Sequence, residues 1–270
     1  MPYPLVLIRG GGDLATGVAA RLFRSGLPLL VTEIAQPLAV RRLVCFAEAV
    51  FTGTIQVEDL RAQRIDGPDQ AFETMQTGAV PVLVDLEAEC IESLEPLVIV
   101  DGRMRKAPPE RGRELAPLVI GLGPGFFAGE NCHAVVETNR GHHMGRVLWR
   151  GPAEADTAVP EAVAGVDVDR VLRAPRRGTM HGLAALGEVI RAGAPVFRVD
   201  EETVLAPFEG ALRGLLHDDL PVEPGMKVGD LDPRADPRFC REISDKSLAV
   251  GGGVLEAIFS RAELRRQLAG

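Results

Sequence analysis

The chain has 270 residues, a formal net charge of −8 and a pI near 5.3. The acidic balance argues against a nucleic-acid partner, because phosphate backbones need a basic surface, and no apolar run approaches the ~20 residues of a membrane helix. Cys45, Cys90, Cys132 and Cys240 are scattered without a C-x-x-C pair, so we predict neither a disulfide framework nor a zinc site. The start of the chain has no charged region before its first apolar run, so we expect no signal peptide and a cytoplasmic location.

The segment from Leu5 to Glu33 predicts a strand, a glycine loop, a helix and a second strand. The apolar run at 5–8 is typical of a parallel strand buried on both faces. Gly10, Gly12 and Ala15 then form the pattern G-x-G-x-x-A, which brings backbone N–H groups and a helix N-terminus to a phosphate. Glu33 lies where such a unit presents a carboxylate to ribose hydroxyls. We therefore predict a Rossmann-type unit.

Asp13 leaves the bound ligand open. A carboxylate at the first position of a helix is a good cap, but it repels a pyrophosphate at the same place. The alternative is a Rossmann scaffold without a nucleotide. Arg9, Arg103, Arg105 and Lys106 can offset Asp13 if the fold brings them close.

The next stretch predicts alternating helices and strands. A helix begins at Pro37 and carries Phe46; its Arg41 and Arg42 are either solvated or form an anion clamp above the glycine loop. We expect a short strand at 49–51, helices at 69–76 and 86–94, and buried strands at 80–84 and 97–100. This alternation is typical of a parallel sheet.

The strand at 97–100 runs into Asp101, Arg103 and Lys106. Ligands of doubly wound sheets bind at the carboxyl ends of the strands, so these charges can form part of a site; the alternative is an exposed loop whose charges face water. A strand at 118–121 leads into a loop with Gly123 and Gly125 that can close over the same crevice. Two further strands, at 133–137 and 146–149, flank a loop with Arg140, His142 and His143. These histidines and His133 lack carboxylate or thiolate partners at ligand spacing, so we predict no metal site; contact with a ligand phosphate, together with Arg140, is the preferred interpretation.

A connector at 151–169 is followed by an internal repeat with an offset of 32 residues. Ala174 and Pro175 align with Ala206 and Pro207, and the turn glycines align in step: Gly178 with Gly210, Gly182 with Gly214, and Gly193 with Gly225. The repeat resembles the barrel-sandwich hybrid of biotinyl and lipoyl carrier domains. The tip between the halves, 199–203, has no lysine, so we expect a module that pairs subunits, covers the crevice or docks a client.

The predicted fold class is α/β: a Rossmann-like doubly wound parallel sheet plus a β-rich module like a barrel-sandwich hybrid. The Rossmann-like domain takes residues 1–165 and the returning 240–270, and the β-module takes 166–239. Gly251, Gly252 and Gly253 precede a predicted amphipathic helix at 254–268, which we expect to rejoin the first domain by close packing.

Several strings together resemble one family. They are the segments 9–17, 121–126, 137–142, 229–234, 243–246 and 251–257. The chain is similar to YqeB-type accessory proteins of selenium-dependent molybdenum hydroxylases, and its Rossmann part is distantly similar to XdhC/CoxI-type maturation factors. The resemblance implies a role in preparing or inserting a molybdenum cofactor, with selenium as a labile ligand. Cys132 is the candidate for chalcogen transfer; a buried inert thiol is the default.

The function predicted from these observations is a maturation factor that binds a nucleotide or a molybdenum cofactor (pterin dinucleotide). The cofactor-binding residues are Gly10, Gly11, Gly12, Asp13, Ala15, Thr16, Glu33, Asp101, Arg103, Lys106, Gly123 and Gly125. Expected partners are a client molybdenum hydroxylase and, for a homo-oligomer, a second copy. The alternatives are an NAD-dependent oxidoreductase, for which no proton relay is visible, and a non-catalytic docking scaffold. Whether a reaction is catalysed stays open.

Overall fold

The computed structural model describes residues 4–155 and 168–268. The chain divides into two compact units. The first unit comprises Met1–Pro37, Phe46–Asp156 and Ile243–Gly270, and the second comprises Leu38–Cys45 and Thr157–Glu242. The predicted connector at 151–169 lies mostly outside the described residues.

The first unit is built on strands and short helices. Its strands are β1 (Val6–Arg9), β2 (Leu29–Glu33), β3 (Thr54–Val57), β4 (Leu60–Ile65), β5 (Ala79–Val84), β6 (Val98–Asp101), β7 (Leu118–Leu122), β8 (Phe127–Ala128), β9 (Ala134–Val136), β10 (Val147–Leu148) and β11 (Gly151–Pro152). Its helices are α1 (Asp13–Arg24), α2 (Ala49–Thr52), α3 (Ala71–Gln76), α4 (Ile91–Leu94), α5 (Asp245–Phe259) and α6 (Ala262–Leu268), with 3₁₀ turns at Phe46–Glu48, Pro68–Gln70 and Arg113–Leu115.

A nine-stranded mixed sheet forms the centre of this unit, in the order β10-β9-β7-β6-β1-β2-β5-β4-β3. The strands from β9 to β4 are parallel to their neighbours, whereas β10 and β3 pair antiparallel at the two edges. Leu5, Leu7, Leu30, Ile99 and Val119 join the buried cluster on one face. The central strand β1 therefore ends between β2 and β6, and its last residue, Arg9, stands beside Thr32 and Asp101.

In its described residues, the second unit is all-β apart from 3₁₀ turns at Arg42–Val44, Val168–Arg170 and Pro237–Cys240. Its strands are β12 (Val171–Arg173), β13 (Gly178–Gly182), β14 (Val189–Ile190), β15 (Pro195–Val199), β16 (Glu202–Leu205), β17 (Gly210–Leu215), β18 (Pro221–Val222) and β19 (Lys227–Asp232). They form two four-stranded sheets, ordered β12-β19-β17-β14 and β16-β15-β13-β18, whose paired neighbours are antiparallel.

The strands of this unit recur at a constant interval. The strands β13, β14 and β15 begin at 178, 189 and 195, and β17, β18 and β19 begin at 210, 221 and 227, which is 32 residues later in each case. The fourth pair of counterparts, β12 and β16, begins at 171 and 202. Replacing each strand by its counterpart converts one sheet order into the other. Each sheet thus contains strands from both halves, so neither half completes a sheet alone.

The predicted fold class is wrong. The large sheet is mixed rather than a doubly wound parallel sheet of Rossmann type, because the hairpin β3–β4 and the strand β10 add antiparallel pairs at its edges. The second unit has two separate antiparallel sheets rather than the predicted barrel-sandwich hybrid. The hairpin was missed because the predicted strands were taken from unbroken apolar runs, whereas Leu60–Ile65 alternates apolar and polar residues, the pattern of a strand with one exposed face.

Several individual elements are confirmed, including the buried strands β1, β2, β5, β6 and β7 and the helix α3. The predicted helix from Pro37 and the strand at 49–51 are wrong: two 3₁₀ turns and the short helix α2 occupy this stretch. The predicted helix at 86–94 is shorter in the structure, where only α4 (Ile91–Leu94) is helical. The Asp85 carboxylate accepts from the Glu89 and Cys90 N–H groups, which fixes a turn ahead of that helix.

The C-terminal helix begins earlier than predicted. Ser244 caps α5 by accepting a hydrogen bond from the Ser247 N–H at 3.1 Å, so Gly251, Gly252 and Gly253 lie inside the helix rather than ahead of it. α5 packs against α1, where Gly251 lies against the Gly17 backbone. Over the described part of the chain, the helices are too short or too polar to span a bilayer.

Candidate functional site

The loop between β1 and α1 brings three glycines to the centre of the sheet's C-terminal edge. Gly10 has a φ of +92°, and a Cβ there would lie 3.2 Å from the Arg103 Cα. A Cβ on Gly11 would lie 2.7 Å from the Ala47 nitrogen, whereas one on Gly12 would meet nothing within 4 Å. Gly10 and Gly11 are therefore required by the protein's own packing, and Gly12 is not.

The N-terminus of α1 has no side-chain cap. Gly12 stands at the cap position with φ −70° and ψ −177° and provides no side-chain acceptor for the first N–H groups of the helix. Asp13, in the first turn, accepts a hydrogen bond through Oδ1 from the Ser247 hydroxyl at 2.9 Å. This first turn therefore combines the positive end of a helix dipole with a carboxylate that is bonded to α5.

The segment at Phe46 and Ala47 covers the other side of the loop. The Phe46 N–H donates to the Thr16 hydroxyl oxygen at 2.9 Å, and that hydroxyl donates to the Gly11 carbonyl at 3.2 Å. The Ala47 N–H donates to the same carbonyl at 2.9 Å. Thr16 therefore holds this segment against the glycine loop through one donated and one accepted hydrogen bond.

Glu33, at the end of β2, faces the loop. Its carboxylate accepts from the Gly11 N–H at 2.7 Å and from the Ile34 N–H at 2.8 Å. Burial raises the pKa of this carboxyl, and the two N–H groups oppose that rise. Each oxygen retains a lone pair that can accept from a hydroxyl.

A buried charge cluster lies at the end of β6. Asp101 is 4% exposed, and its carboxylate accepts two hydrogen bonds from Arg103: Oδ1 from Nε at 3.0 Å and Oδ2 from Nη2 at 2.7 Å. Arg9, at the end of β1, has Nη1 at 3.9 Å from the same Oδ2. Arg103 also donates to Glu110 at 3.0 Å.

The remaining predicted residues lie in adjoining loops. Gly123, with φ +69°, packs against the Thr138 hydroxyl, and a Cβ on Gly125 would lie 2.6 Å from the Ala107 carbonyl oxygen. Lys106, next to Ala107, is exposed. A Cβ on Gly102 would lie 3.0 Å from the Ala15 Cβ, which places the first turn of α1 against the end of β6.

The structure thus brings together the ends of β1, β2 and β6, with nine of the predicted residues. They are Gly10, Gly11, Gly12, Asp13, Ala15, Thr16, Glu33, Asp101 and Arg103. The sequence pointed to Arg9 only as a charge that can offset Asp13, whereas the structure places its guanidinium near Asp101. Phe46, Ala47 and Ser247 were not predicted at the site, because no local sequence signal marks them.

Other arginines for which a ligand contact was considered form hydrogen bonds elsewhere in the protein. Arg41 donates to the Phe239 and Glu242 carbonyls and Arg42 to the Leu215 carbonyl, all within the second unit. Arg140, predicted to touch a ligand phosphate, is paired with Asp245 at 2.5 and 2.8 Å.

The candidate for chalcogen transfer has no reactive surroundings. Cys132 is fully buried, and its burial raises the pKa of the thiol to about 11. The thiol is therefore protonated near neutral pH, which disfavours a nucleophilic role. Cys45, Cys90 and Cys240 are also buried, and the described residues contain no disulfide that involves them.

No protein-family model matches the chain. Over 256 residues it is 41% identical to the protein named "Uncharacterized protein YqeB" of Escherichia coli K12. The chain is therefore similar in sequence to YqeB. The match covers 95% of this chain and 47% of the relative, so the chain spans about half the length of the curated relative that it matches. The YqeB-type part of the predicted resemblance is thereby confirmed.

The solved structures found by comparison belong to differently named proteins. They are an aspartoacylase family protein of Mesorhizobium loti (11% identity, TM-score 0.27), a succinylglutamate desuccinylase of Silicibacter (12%, 0.25) and a succinylglutamate desuccinylase/aspartoacylase of Rhodobacter sphaeroides (18%, 0.25), with 84–85% of those chains and 85% of this chain covered. The sequence predicted a molybdenum hydroxylase maturation protein with a Rossmann domain and a barrel-sandwich domain. None of these three structures carries such a name. TM-scores this low carry no argument about activity.

Proposed function

We propose that the first unit binds a phosphate-bearing small molecule, a nucleotide or a pterin dinucleotide, where β1 leads into α1. The observation that carries the proposal is the open, uncapped start of this twelve-residue helix at Gly12. The first N–H groups of a helix have no acceptor within the helix itself, and together with the positive end of the helix dipole they favour an anion at this end. Gly12 is also the glycine of the loop for which the structure gives no packing reason.

The neighbouring groups fit the rest of such a ligand. Glu33 has free lone pairs for sugar hydroxyls beside the Gly11 N–H that it already accepts. The backbone of Arg103 lies beside Gly10, and the side chain of Arg103 carries a guanidinium, a group suited to phosphate oxygens. The Asp13 carboxylate, which would oppose a phosphate, has one oxygen bonded to Ser247.

The biological setting that we propose is that of an accessory protein for a selenium-dependent molybdenum hydroxylase. It is supported by the motifs at 9–17, 121–126 and 243–246 and by the similarity to YqeB over nearly all of this chain. A strain lacking the protein should then accumulate client hydroxylase that is folded but inactive. Full client activity in that strain would refute this setting.

A docking scaffold without a ligand is the competing function, and one observation favours it. Gly10 and Gly11 are explained by the backbones of Arg103 and Ala47, so these two glycines need no ligand. The two functions differ in what they predict for Gly12.

The substitution Gly12→Val separates them. Its backbone angles are accessible to valine and its surroundings are open, so the variant should fold. We expect the side chain to block the helix N-terminus and to abolish the thermal stabilisation that wild type gains from a ligand, about 2.7 kcal/mol at a ligand concentration 100 times Kd.

The measurement is a thermal-shift and calorimetric titration with NAD, cytidine diphosphate, guanosine diphosphate and pyrophosphate. Gly252→Ala, a substitution at another glycine with open surroundings, is the matched control and should bind like wild type. If wild type responds to none of these compounds, the scaffold is the better account. Equal binding by Gly12→Val and wild type would place the ligand elsewhere.

A further inference from the structure

Two guanidinium groups compete for one buried carboxylate at the end of the central strands. Asp101 is 4% exposed, and its Oδ2 accepts from Arg103 Nη2 at 2.7 Å. Arg9 Nη1 lies 3.9 Å from the same oxygen, too far for a hydrogen bond. Asp101 is therefore hydrogen-bonded to one cation, Arg103, and has a second cation, Arg9, nearby.

The guanidinium of Arg9 makes few hydrogen bonds in its buried position. It is 3% exposed, its Nη2 donates to the Leu86 carbonyl at a long 3.4 Å, and its Nε is buried without a hydrogen-bond partner in the described part of the chain. A guanidinium has five N–H donors, and a buried cation with so few bonds is unfavourable. This arrangement indicates a second state in which Arg9 is better paired.

Arg103 is the arginine that can reach the proposed ligand. Its Cα lies 3.2 Å from where a Cβ on Gly10 would be, directly beside the loop that leads to α1. Its guanidinium already extends toward the surface, where it donates to the exposed Glu110. Arg9, on the buried strand β1, has no such freedom.

We propose that Arg9 and Arg103 exchange roles when an oxyanion binds. Arg103 leaves Asp101 for a phosphate group of the ligand at the start of α1, and Arg9 moves onto Asp101. This proposal rests on the proposed function and makes phosphate the group recognised, because a planar guanidinium donates two parallel hydrogen bonds to it.

The exchange follows from the cost of an unpaired buried charge. Asp101 without a partner would be a buried carboxylate in a medium that disfavours it, so Arg103 is released only if another cation takes its place. Burial lowers the pKa of Arg9, and the nearby Arg103 lowers it further. The departure of Arg103 removes that repulsion.

The test is calorimetric titration of the full chain with inorganic pyrophosphate. The variants are Arg9→Met, Arg103→Met, Asp101→Asn and the doubles Arg9→Met/Asp101→Asn and Arg103→Met/Asp101→Asn. Arg24→Met is the control, since that arginine pairs with Glu58 and Asp59 at the other end of α1. Its affinity should equal that of wild type.

Arg9→Met should bind about tenfold or more weakly than wild type, a typical size for coupling between two groups. Asp101→Asn should bind at least as tightly as wild type, because Arg103 no longer has to leave a carboxylate. Adding Asp101→Asn should restore binding to Arg9→Met and should not restore it to Arg103→Met. A residue that only supports the fold would not give this selective rescue.

Wild-type affinity in Arg9→Met, or failure of Asp101→Asn to rescue it, overturns the exchange. Arg9→Gln is the second variant if Arg9→Met does not fold, and failure of both to fold also overturns it. If Gly12→Val abolishes pyrophosphate binding while Arg9→Met keeps it, the proposed function stands and the exchange fails. If wild type does not bind pyrophosphate, or Gly12→Val binds equally well, both fail.

Discussion

At the scale of single residues, side chains complete the hydrogen bonding of the large sheet. The His133 Nδ1 accepts from the Val119 N–H at 3.0 Å, just ahead of the paired residues of β7 and β9. Glu137, 2% exposed, accepts from the Asn139 and Glu154 N–H groups. These side chains satisfy backbone groups that irregular strand ends would otherwise leave unpaired.

His133 should make the protein sensitive to mild acid. Burial lowers its pKa from the ordinary 6.5, and the charges of Arg261 and Arg113 lower it further. The unfolded state then takes up a proton at higher pH than the folded state, so the stabilisation is complete above 6.5 and is lost as the pH falls through the lowered folded value.

Two substitutions test this role by urea unfolding at several pH values. His133→Leu leaves the buried Val119 N–H without an acceptor and should cost about 1–3 kcal/mol. His133→Asn keeps an acceptor near the Nδ1 position, so it should be milder, and its stability should change less than that of wild type between about pH 7 and pH 5. Identical pH profiles for wild type and His133→Asn would contradict the assignment.

At the scale of elements, the three consecutive glycines of α5 have different surroundings. A Cβ on Gly251 would lie 2.7 Å from the Gly17 carbonyl oxygen of α1, and one on Gly253 would collide with the Gly145 carbonyl oxygen. Gly252 has nothing within 4 Å. Close packing therefore requires the first and third glycines but not the second.

Alanine at these positions should change stability with opposite signs. Gly252→Ala gains helix propensity and should stabilise by about 0.5–1 kcal/mol. Gly251→Ala and Gly253→Ala gain the same propensity but force backbones apart, so we expect a net loss of about 1–3 kcal/mol. Thermal unfolding of the three variants checks this, with Gly252→Ala as the internal control. Equal effects at all three positions would show that α5 does not pack as described.

At the scale of the whole molecule, each unit has its own buried interior and its own charge network. In the second unit, Asp230 is fully buried and accepts from Arg170 at 2.7 Å and Arg213 at 2.6 Å. Burial alone would raise the pKa of Asp230, but Arg213, Lys227 and Arg170 outweigh it and hold the pKa below its ordinary value.

Asp230→Ala should destabilise the second unit selectively. It leaves two largely buried arginines without their shared carboxylate, which typically costs about 3–5 kcal/mol. Trp149 is the only tryptophan of the chain and lies in the first unit. Tryptophan fluorescence therefore follows that unit alone. In urea, the far-UV circular dichroism should show an early transition in the variant while the fluorescence midpoint stays near the wild-type value. An equal shift of both signals would mean that the two units unfold together.

Part of the site could be predicted because its signals are local. The apolar run of β1, the turn at Gly10 and the position of Glu33 all depend on neighbouring residues, and each was assigned from the sequence. The hairpin β3–β4 was not, because its strands alternate polar and apolar residues and contain no unbroken apolar run. Its omission turned a mixed sheet into a parallel one.

The buried strands and the place where a glycine loop meets a helix follow from the amino-acid sequence alone, since apolar runs and turn residues act over a few neighbours. Three contacts are visible only in the folded chain: Phe46 and Ala47 cover the loop, Ser247 binds Asp13, and Arg9 lies 3.9 Å from Asp101. Those contacts join residues that are far apart in the chain, and their energy depends on packing and burial, which no local pattern records.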